Sequence, residues 1–466
     1  MEEALVKGNI RRSFVVVPVM ALVVSGCLGG SNSTQPPGNP TPAPGGTAPA
    51  SAPSSGGGGP SSAEPATGTI NVWFFPQGEA AEAALRVYET QFETANHGAD
   101  IAYRELPEGD PYFQGINTAL QGGAPPDVAV IEDRGWMQAG LVEELSQYFD
   151  QWGVSAEDFS PGGLARGTED GDPSTPPIYG IGDFLGGNVL VYNKDLFDAA
   201  ELEYPGTDAS MHISEYVELC NQLAQPNDDP AQTIYGCSMP EWGIGIQGKD
   251  VFGPDGRSPL GNINSEEMIA AWDMGTQVIR DGNAPSPDAL EQASESDLFA
   301  EGRLGITWTD FTEIPKYQEN DITFGLAPFY VIKEGESFVD TFTAPYGTFA
   351  GSPNKAGALA FLRFLATDAQ RIRMEETSDP ALDLTVAEEE GYGDDDPVKA
   401  EYLAVLQHAQ PQVFVPPGID AWDPIEVIRL MTIENQTDSR PILDEMAAAA
   451  QEQADEVWVD WEDLAQ

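Results

Sequence analysis

Positive charge is what this sequence has least of. Across 466 residues it carries 21 Lys and Arg against 76 Asp and Glu, a formal net charge of -55, and it has three His and three Cys. So few cations cannot neutralise the phosphates of a nucleic acid, which excludes DNA and RNA as partners. His97, His212 and His408 lie far apart in the chain, and G-x-S-x-G, H-E-x-x-H and P-loop patterns are missing. No catalytic residue, metal set or cofactor is therefore expected. Long hydrophobic runs are missing too. The apolar stretch Val15 to Val24 holds about ten residues and contains Pro18, whereas a membrane span needs about 20.

A net charge this far from zero destabilises a compact state by self-repulsion unless salt screens it. At about 1 M ionic strength the Debye length falls to roughly 3 Å. The acidic residues are dispersed through every segment after residue 68, so they read as the solvated surface of a salt-in haloarchaeal protein rather than as an acidic tail.

The short apolar stretch reads instead as the h-region of a signal peptide, residues 1–27. Arg11, Arg12, Ser13 and Phe14 in front of it resemble a twin-arginine signal, with an ordinary Sec signal as the alternative because Val15 follows. It ends in Val24, Ser25, Gly26 and Cys27, which resembles the lipobox of prokaryotic lipoproteins. That resemblance implies a lipid on Cys27 and anchoring on the outer face of the cytoplasmic membrane. Residues 28–68 are almost entirely Gly, Pro, Ser, Thr, Ala, Asn and Gln, with no apolar periodicity, and are expected to form a flexible tether. If the chain is exported, Cys220 and Cys237 can close a disulfide loop of about 17 residues, worth on the order of 3 kcal/mol in the chain-entropy model. Two buried thiols are the alternative.

The remaining length suffices for two cores, since single cores stop growing at about 250 to 300 residues. Residues 69–75 (TINVWFF) read as a strand, followed by helical spacing of Ala81, Ala84, Leu85, Tyr88 and Phe92. A strand over 100–106, a helix over 112–121 ending at Gly122 and Gly123, and a buried strand over 126–131 follow. Two successive βα units predict a mostly parallel, helix-covered sheet. Farther on, Asn188 to Phe197 (NVLVYNKDLF) turns from an apolar run into a helix onset at Asn193. A helix over 214–224, a strand over 235–238, an Asn264–Glu267 capping pattern, a helix capped by Ser352 with Pro353 at its first position, and a last helix over 440–458 complete the reading.

YNKDLF, the Gly123 to Val128 and Ala139 to Leu141 segments, Asp297 to Thr307, SPNK at 352–355 and Gln407 to Trp422 together resemble sugar-binding extracytoplasmic solute-binding proteins of ABC importers, of the maltose-binding type. The resemblance implies an α/β, periplasmic-binding-protein-like fold of type II, with two α/β lobes joined by a multi-strand hinge and a ligand cleft between them. It places the first lobe at 69–180 plus 312–366 and the second at 181–311 plus 367–466. It further implies a monomer that binds a mono- or oligosaccharide and delivers it to a transmembrane permease.

Ligands of open α/β sheets collect at the carboxyl ends of strands. That rule nominates Trp73, Gln77 and Glu79 after the first strand, and Glu132, Asp133 and Arg134 after the third. The resemblance adds Asp183, Trp242, Trp308, Asp310, Phe311, Tyr346 and Trp422. Indole faces suit the C–H faces of a pyranose, and planar carboxylate, amide and guanidinium groups suit its hydroxyls. Gly182 stands where the family usually has proline. Two alternatives stay open: a receptor for another small solute, such as a polyol phosphate, metal chelate or peptide, and a surface glycosidase working through paired carboxylates.

Overall fold

The computed structural model describes residues 66–174, 176–239, 248–253, 256–407 and 419–464, without the side chains of residues 79, 110, 248, 249 and 460–464. The signal peptide, Cys27, most of the tether and Trp242 lie outside the described residues.

The chain begins as expected. Strand β1 (Gly68–Phe74) alternates, with Ile70, Val72 and Phe74 buried, and it leads into the helix Glu79–Ala95, whose Ala84, Tyr88 and Phe92 are buried in the same apolar cluster. Strand β2 (Ala99–Glu105), the helix Asp110–Gln121 and strand β3 (Val128–Val130) follow. β1 lies parallel to both β2 and β3, as consecutive βα units require. A late strand, β8 (Tyr346–Gly347), pairs antiparallel with β3 and completes the order β2-β1-β3-β8.

The second sheet is built on β4 (Gly186–Asn193), flanked by β5 (Ile306–Thr309) and β6 (Phe324–Ala327), with β7 (Asp340–Phe342) paired to its first residues. All three neighbours run antiparallel to it. β4 is buried on both faces: Val189 and Val191 join the first apolar cluster, Leu190 and Tyr192 the second. A continuous apolar run is what such a strand needs. Asn193 ends the strand by accepting a bond on its side chain from Leu196 N at 3.2 Å, which caps the helix Lys194–Ala199.

The helix Ile213–Leu223 lies on the second cluster, and its Cys220 is bonded to Cys237 across a Cα–Cα distance of 4.9 Å. Over residues 235–238 the isolated bridge of Tyr235 to Leu304 stands in place of the expected strand. Two caps shift as well. Ser265, not Asn264, caps the helix Glu266–Arg280, and Asn354, not Ser352, caps Lys355–Ala366. Ser352 is engaged elsewhere, donating its hydroxyl to buried Asp127 at 2.7 Å.

The return to the first sheet comes at β8, not directly after Phe311. Residues 324–327 pair with β4 as β6, and Phe329, Val331 and Phe338 pack in the second cluster. The expected change at residue 367 does not coincide with a change of packing either. Tyr88 of the first helix donates to Ala369 O at 3.3 Å, and Ala369 and Ile372 lie in the first cluster. Where the chain crosses between the sheets, Gly182 is dictated by space: a Cβ there would fall 1.8 Å from Thr343 Oγ1.

Candidate functional site

The carboxyl ends of β1 and β3 point to the same end of the first sheet because the two strands are parallel. After β1, Gln77 Nε2 donates to the hydroxyl of Tyr346 at 3.1 Å. Tyr346 is buried in β8, and burial, reinforced by Asp183, raises its phenol above the usual range. Its hydroxyl therefore stays a neutral hydrogen-bonding group that holds the Gln77 amide. Glu79 opens the first helix, and its side chain lies outside the described residues.

After β3 the residues Glu132, Asp133 and Arg134 are half-buried. Asp133 caps the short helix Arg134–Gln138, accepting from Gly135 N at 2.8 Å. Burial raises its carboxyl, while the Gly135 and Trp136 amides oppose that rise. Arg134 reaches Ala165 O at 3.4 Å through Nη2. Burial first, and then the neighbouring Arg166 guanidinium, push Arg134 down to about 10. Arg166 itself donates to Thr341 O at 3.0 Å. Burial raises the Glu132 carboxyl, and Arg166 opposes it. One carboxylate and two guanidiniums thus meet at the strand ends, each guanidinium anchored by a backbone carbonyl. Arg166 was not foreseen. The available signal was its scarcity, one of 21 basic residues set in the Gly-rich run 161–167.

Asp183 lies deep inside the protein. It is 1% exposed, accepts the Tyr88 hydroxyl on Oδ2 at 2.6 Å, and lies 3.7 Å from Arg373 Nη1. Arg373 is itself 3% exposed, stacks over Phe184 at 4.2 Å and donates to Asp379 Oδ2 at 3.3 Å. The carboxylate is thus enclosed by Tyr88 and Arg373, with Oδ1 buried and without a hydrogen-bond partner.

On the second sheet the candidates gather at the end of β5. Trp308 is half-buried at the edge of the second cluster. Asp310 Oδ1 accepts from Thr312 N at 2.8 Å and Thr312 Oγ1 at 2.5 Å, which makes it a turn former. Phe311 packs on Tyr402 at 4.9 Å, and the Tyr402 hydroxyl bridges to the Gly187 backbone on β4. Trp73 is half-buried under the Arg104 guanidinium, 4.1 Å from its ring centroid. Trp422 is half-buried, edge-on to Trp272 at 6.1 Å, which places it on the rim of the second cluster. The helix Arg440–Leu464, rooted in the second cluster through Leu443, Ala447 and Ala450, reaches the helix Arg134–Gln138. Among the described residues no group of three or more His, Cys, Asp or Glu is placed to hold a metal ion, and no helix is long and apolar enough to cross a membrane.

Two sheets linked by crossing strands, with polar groups at the carboxyl ends of the parallel one, define a periplasmic-binding-protein-like α/β fold of type II. The family of bacterial extracellular solute-binding proteins matches residues 76–372, and the chain belongs to it. A protein of Brucella abortus (strain 2308) with a provisional binding-protein name is 24% identical over 307 residues, which is 59% of this chain and 66% of that protein. The chain thus spans just under two thirds of that relative. Among solved structures, an ABC substrate-binding protein of Listeria monocytogenes in complex with cycloalternan aligns with a TM-score of 0.60 at 20% identity, over 84% of this chain and 99% of that one. The maltotriose-binding protein of Thermus thermophilus, bound with maltotriose, aligns with a TM-score of 0.58 at 20% identity, over 82% and 99%.

Proposed function

We propose that the chain is a receptor that captures a mono- or oligosaccharide between its two sheets and delivers it to the permease of an ABC transporter. The observation that carries this reading is the set Gln77, Glu132, Arg134 and Arg166 at the carboxyl ends of β1 and β3. An amide, a carboxylate and two planar guanidiniums offer both donors and acceptors, which is what a polyhydroxylated ligand needs and a purely anionic one does not. Trp308 and Trp422 supply indole faces on the opposite side. The named ligands of the Listeria and Thermus proteins are oligosaccharides, which supports the same class.

In this reading the first lobe is organised on the first sheet and the second on β4, β5 and β6, and closure bends the crossing strands around Gly182 and β7. Residues 1–27 direct export, Cys27 carries the lipid, and the tether lets the receptor reach its permease from the outer membrane face. Among the other solutes considered, an anion such as a polyol phosphate is disfavoured by the Glu132 carboxylate, which interacts with Arg166 and would repel a bound negative charge. The test is a thermal-shift panel of maltotriose, other oligosaccharides, peptides and metal chelates in about 2 to 4 M KCl, since a ligand of the native state raises Tm by mass action. A shift with sugars is expected. A shift with a peptide or chelate and none with sugars would overturn the carbohydrate reading, and mass spectrometry showing an unmodified Cys27 would remove the anchor.

A further inference from the structure

The helix Glu295–Ala300 and β5 form an antiparallel pair: the chain leaves the helix at Ala300, turns, and runs back through Ile306 to Thr309. Glu295, at the start of the helix, therefore lies beside the end of β5, the end that carries Trp308, Asp310 and Phe311. Its carboxyl faces inward. Oε2 accepts the hydroxyl of fully buried Thr307 at 3.2 Å, the Trp308 side chain bonds the same carboxyl, and Oε1 is shut off from solvent without a hydrogen-bond partner. A carboxyl kept in such a place costs free energy unless it holds something in return.

We propose that Glu295 is a positioning residue for ligand capture, whose carboxyl clamps the Thr307 hydroxyl and the Trp308 indole and so holds Trp308 as a fixed wall of the cleft. The proposal rests on the reading of Trp308 as a sugar-facing residue. A stacking surface must be rigid to act without an ordering cost on binding, and one hydrogen bond to the indole N–H removes its remaining rotation.

The clamp is also titratable. Burial pushes the Glu295 carboxyl up to about 7, against the bonds from Thr307 and Trp308, which favour the ionised form. The charged groups on the surrounding elements are Asp297 on the same helix, Asp310 and Glu313 after β5, and Lys316 on the helix Ile314–Glu319, beside the Tyr317 phenol. Lys316 is engaged by Asp297 at 2.7 Å and lies 3.7 Å from Glu313. Ionised, Glu295 accepts charge-assisted bonds and the clamp tightens. Protonated, it loosens.

Maltotriose binding measured by calorimetry between pH 5.5 and 8.5 in high KCl separates the outcomes. Wild type should bind more tightly above pH 7 than below it. Glu295→Ala should weaken binding about tenfold at pH 8, the size of one lost charge-assisted bond. Glu295→Gln, which keeps an acceptor oxygen, should stay within about threefold and lose the pH dependence. An unchanged pH profile in Glu295→Gln, or unchanged affinity in Glu295→Ala, overturns the clamp. Without any ligand, tryptophan emission of the wild type should show a step near pH 7 that vanishes in both Glu295→Gln and Trp308→Phe. No step in the wild type overturns the clamp even if no sugar binds, a result that by itself would sink the carbohydrate reading instead.

Discussion

Two groups of charged residues use the same chemistry to opposite ends. Asp183 and Arg373 lie between the first helix, the crossing strand and the helix Asp368–Thr377, at 1% and 3% exposure, with Tyr88 donating to Asp183 and Asp379 accepting from Arg373. Glu132, Arg134 and Arg166 lie at the strand ends, half-buried, with Arg134 donating to Ala165 O and Arg166 to Thr341 O. In the first group the side chains are engaged with one another, so they fix the geometry of the crossing. In the second both guanidiniums donate to backbone carbonyls at half-buried positions that solvent still reaches. A charged residue is thus sorted into scaffold or candidate site by how deeply it is buried and by whether its partners are other side chains or backbone.

The sharpest way to break that contrast is to remove one member from each group. Asp183→Ala removes one of the two carboxylates beside buried Arg373 and the acceptor of the Tyr88 hydroxyl, and removing one partner of a buried pair costs about 3 to 5 kcal/mol. Urea denaturation in about 3 M KCl should show that loss, and a stability within about 1 kcal/mol of wild type would return Asp183 to the list of ligand contacts. Next in size is the disulfide: Cys220→Ser should cost on the order of 3 kcal/mol for its 17-residue loop, without altering ligand selectivity. Arg134→Ala should behave in the reverse manner to Asp183→Ala. Its stability should change by about 1 kcal/mol or less, whereas sugar affinity should fall roughly 10- to 100-fold, as for hydrogen bonds to a charged group. Equal losses of stability and affinity in Arg134→Ala would erase the distinction.

The same contrast explains what the sequence could and could not reveal. Elements set by neighbours in the chain were legible. The apolar run before Asn193 becomes β4, Asn193 caps the next helix, and the two opening βα units form the parallel part of the first sheet. Features set by distant partners were not. In the sequence Asp133 and Asp183 are both acidic residues near a strand, and only the approach of Tyr88 and Arg373 makes the second a buried scaffold group. Arg166 is brought to the strand ends by Thr341, 175 positions away, which supplies its carbonyl anchor. The late return to the first sheet was hidden for the same reason: the pairing of β6 with β4 is a register between segments more than 100 residues apart. Ser352 gave way to Asn354 as the cap because its hydroxyl is claimed by Asp127, 225 positions away.

A third kind of charge sets the lower bound of the comparison. Lys355 Nζ meets Glu143 Oε2 at 2.6 Å, with the two side chains 29% and 24% exposed, and the Tyr148 hydroxyl donates to the same carboxylate. The Lys355 bond, helped by Tyr148, holds the Glu143 carboxyl below its usual 4.5 despite partial burial. Because the folded value is depressed, the contribution to stability is present above about 4.5 and is lost as pH falls through the folded value. The pair is partly exposed, so its worth should be about 1 kcal/mol or less in dilute salt, and less still where the Debye length is a few ångströms. Lys355→Met should therefore lower stability measurably at low salt and pH 7, narrow towards no effect in about 3 M KCl, and lose its effect as acid protonates Glu143. A loss that persists undiminished in high salt would mean that Lys355 behaves like Arg373, as a structural charge, and that exposure alone does not separate the two.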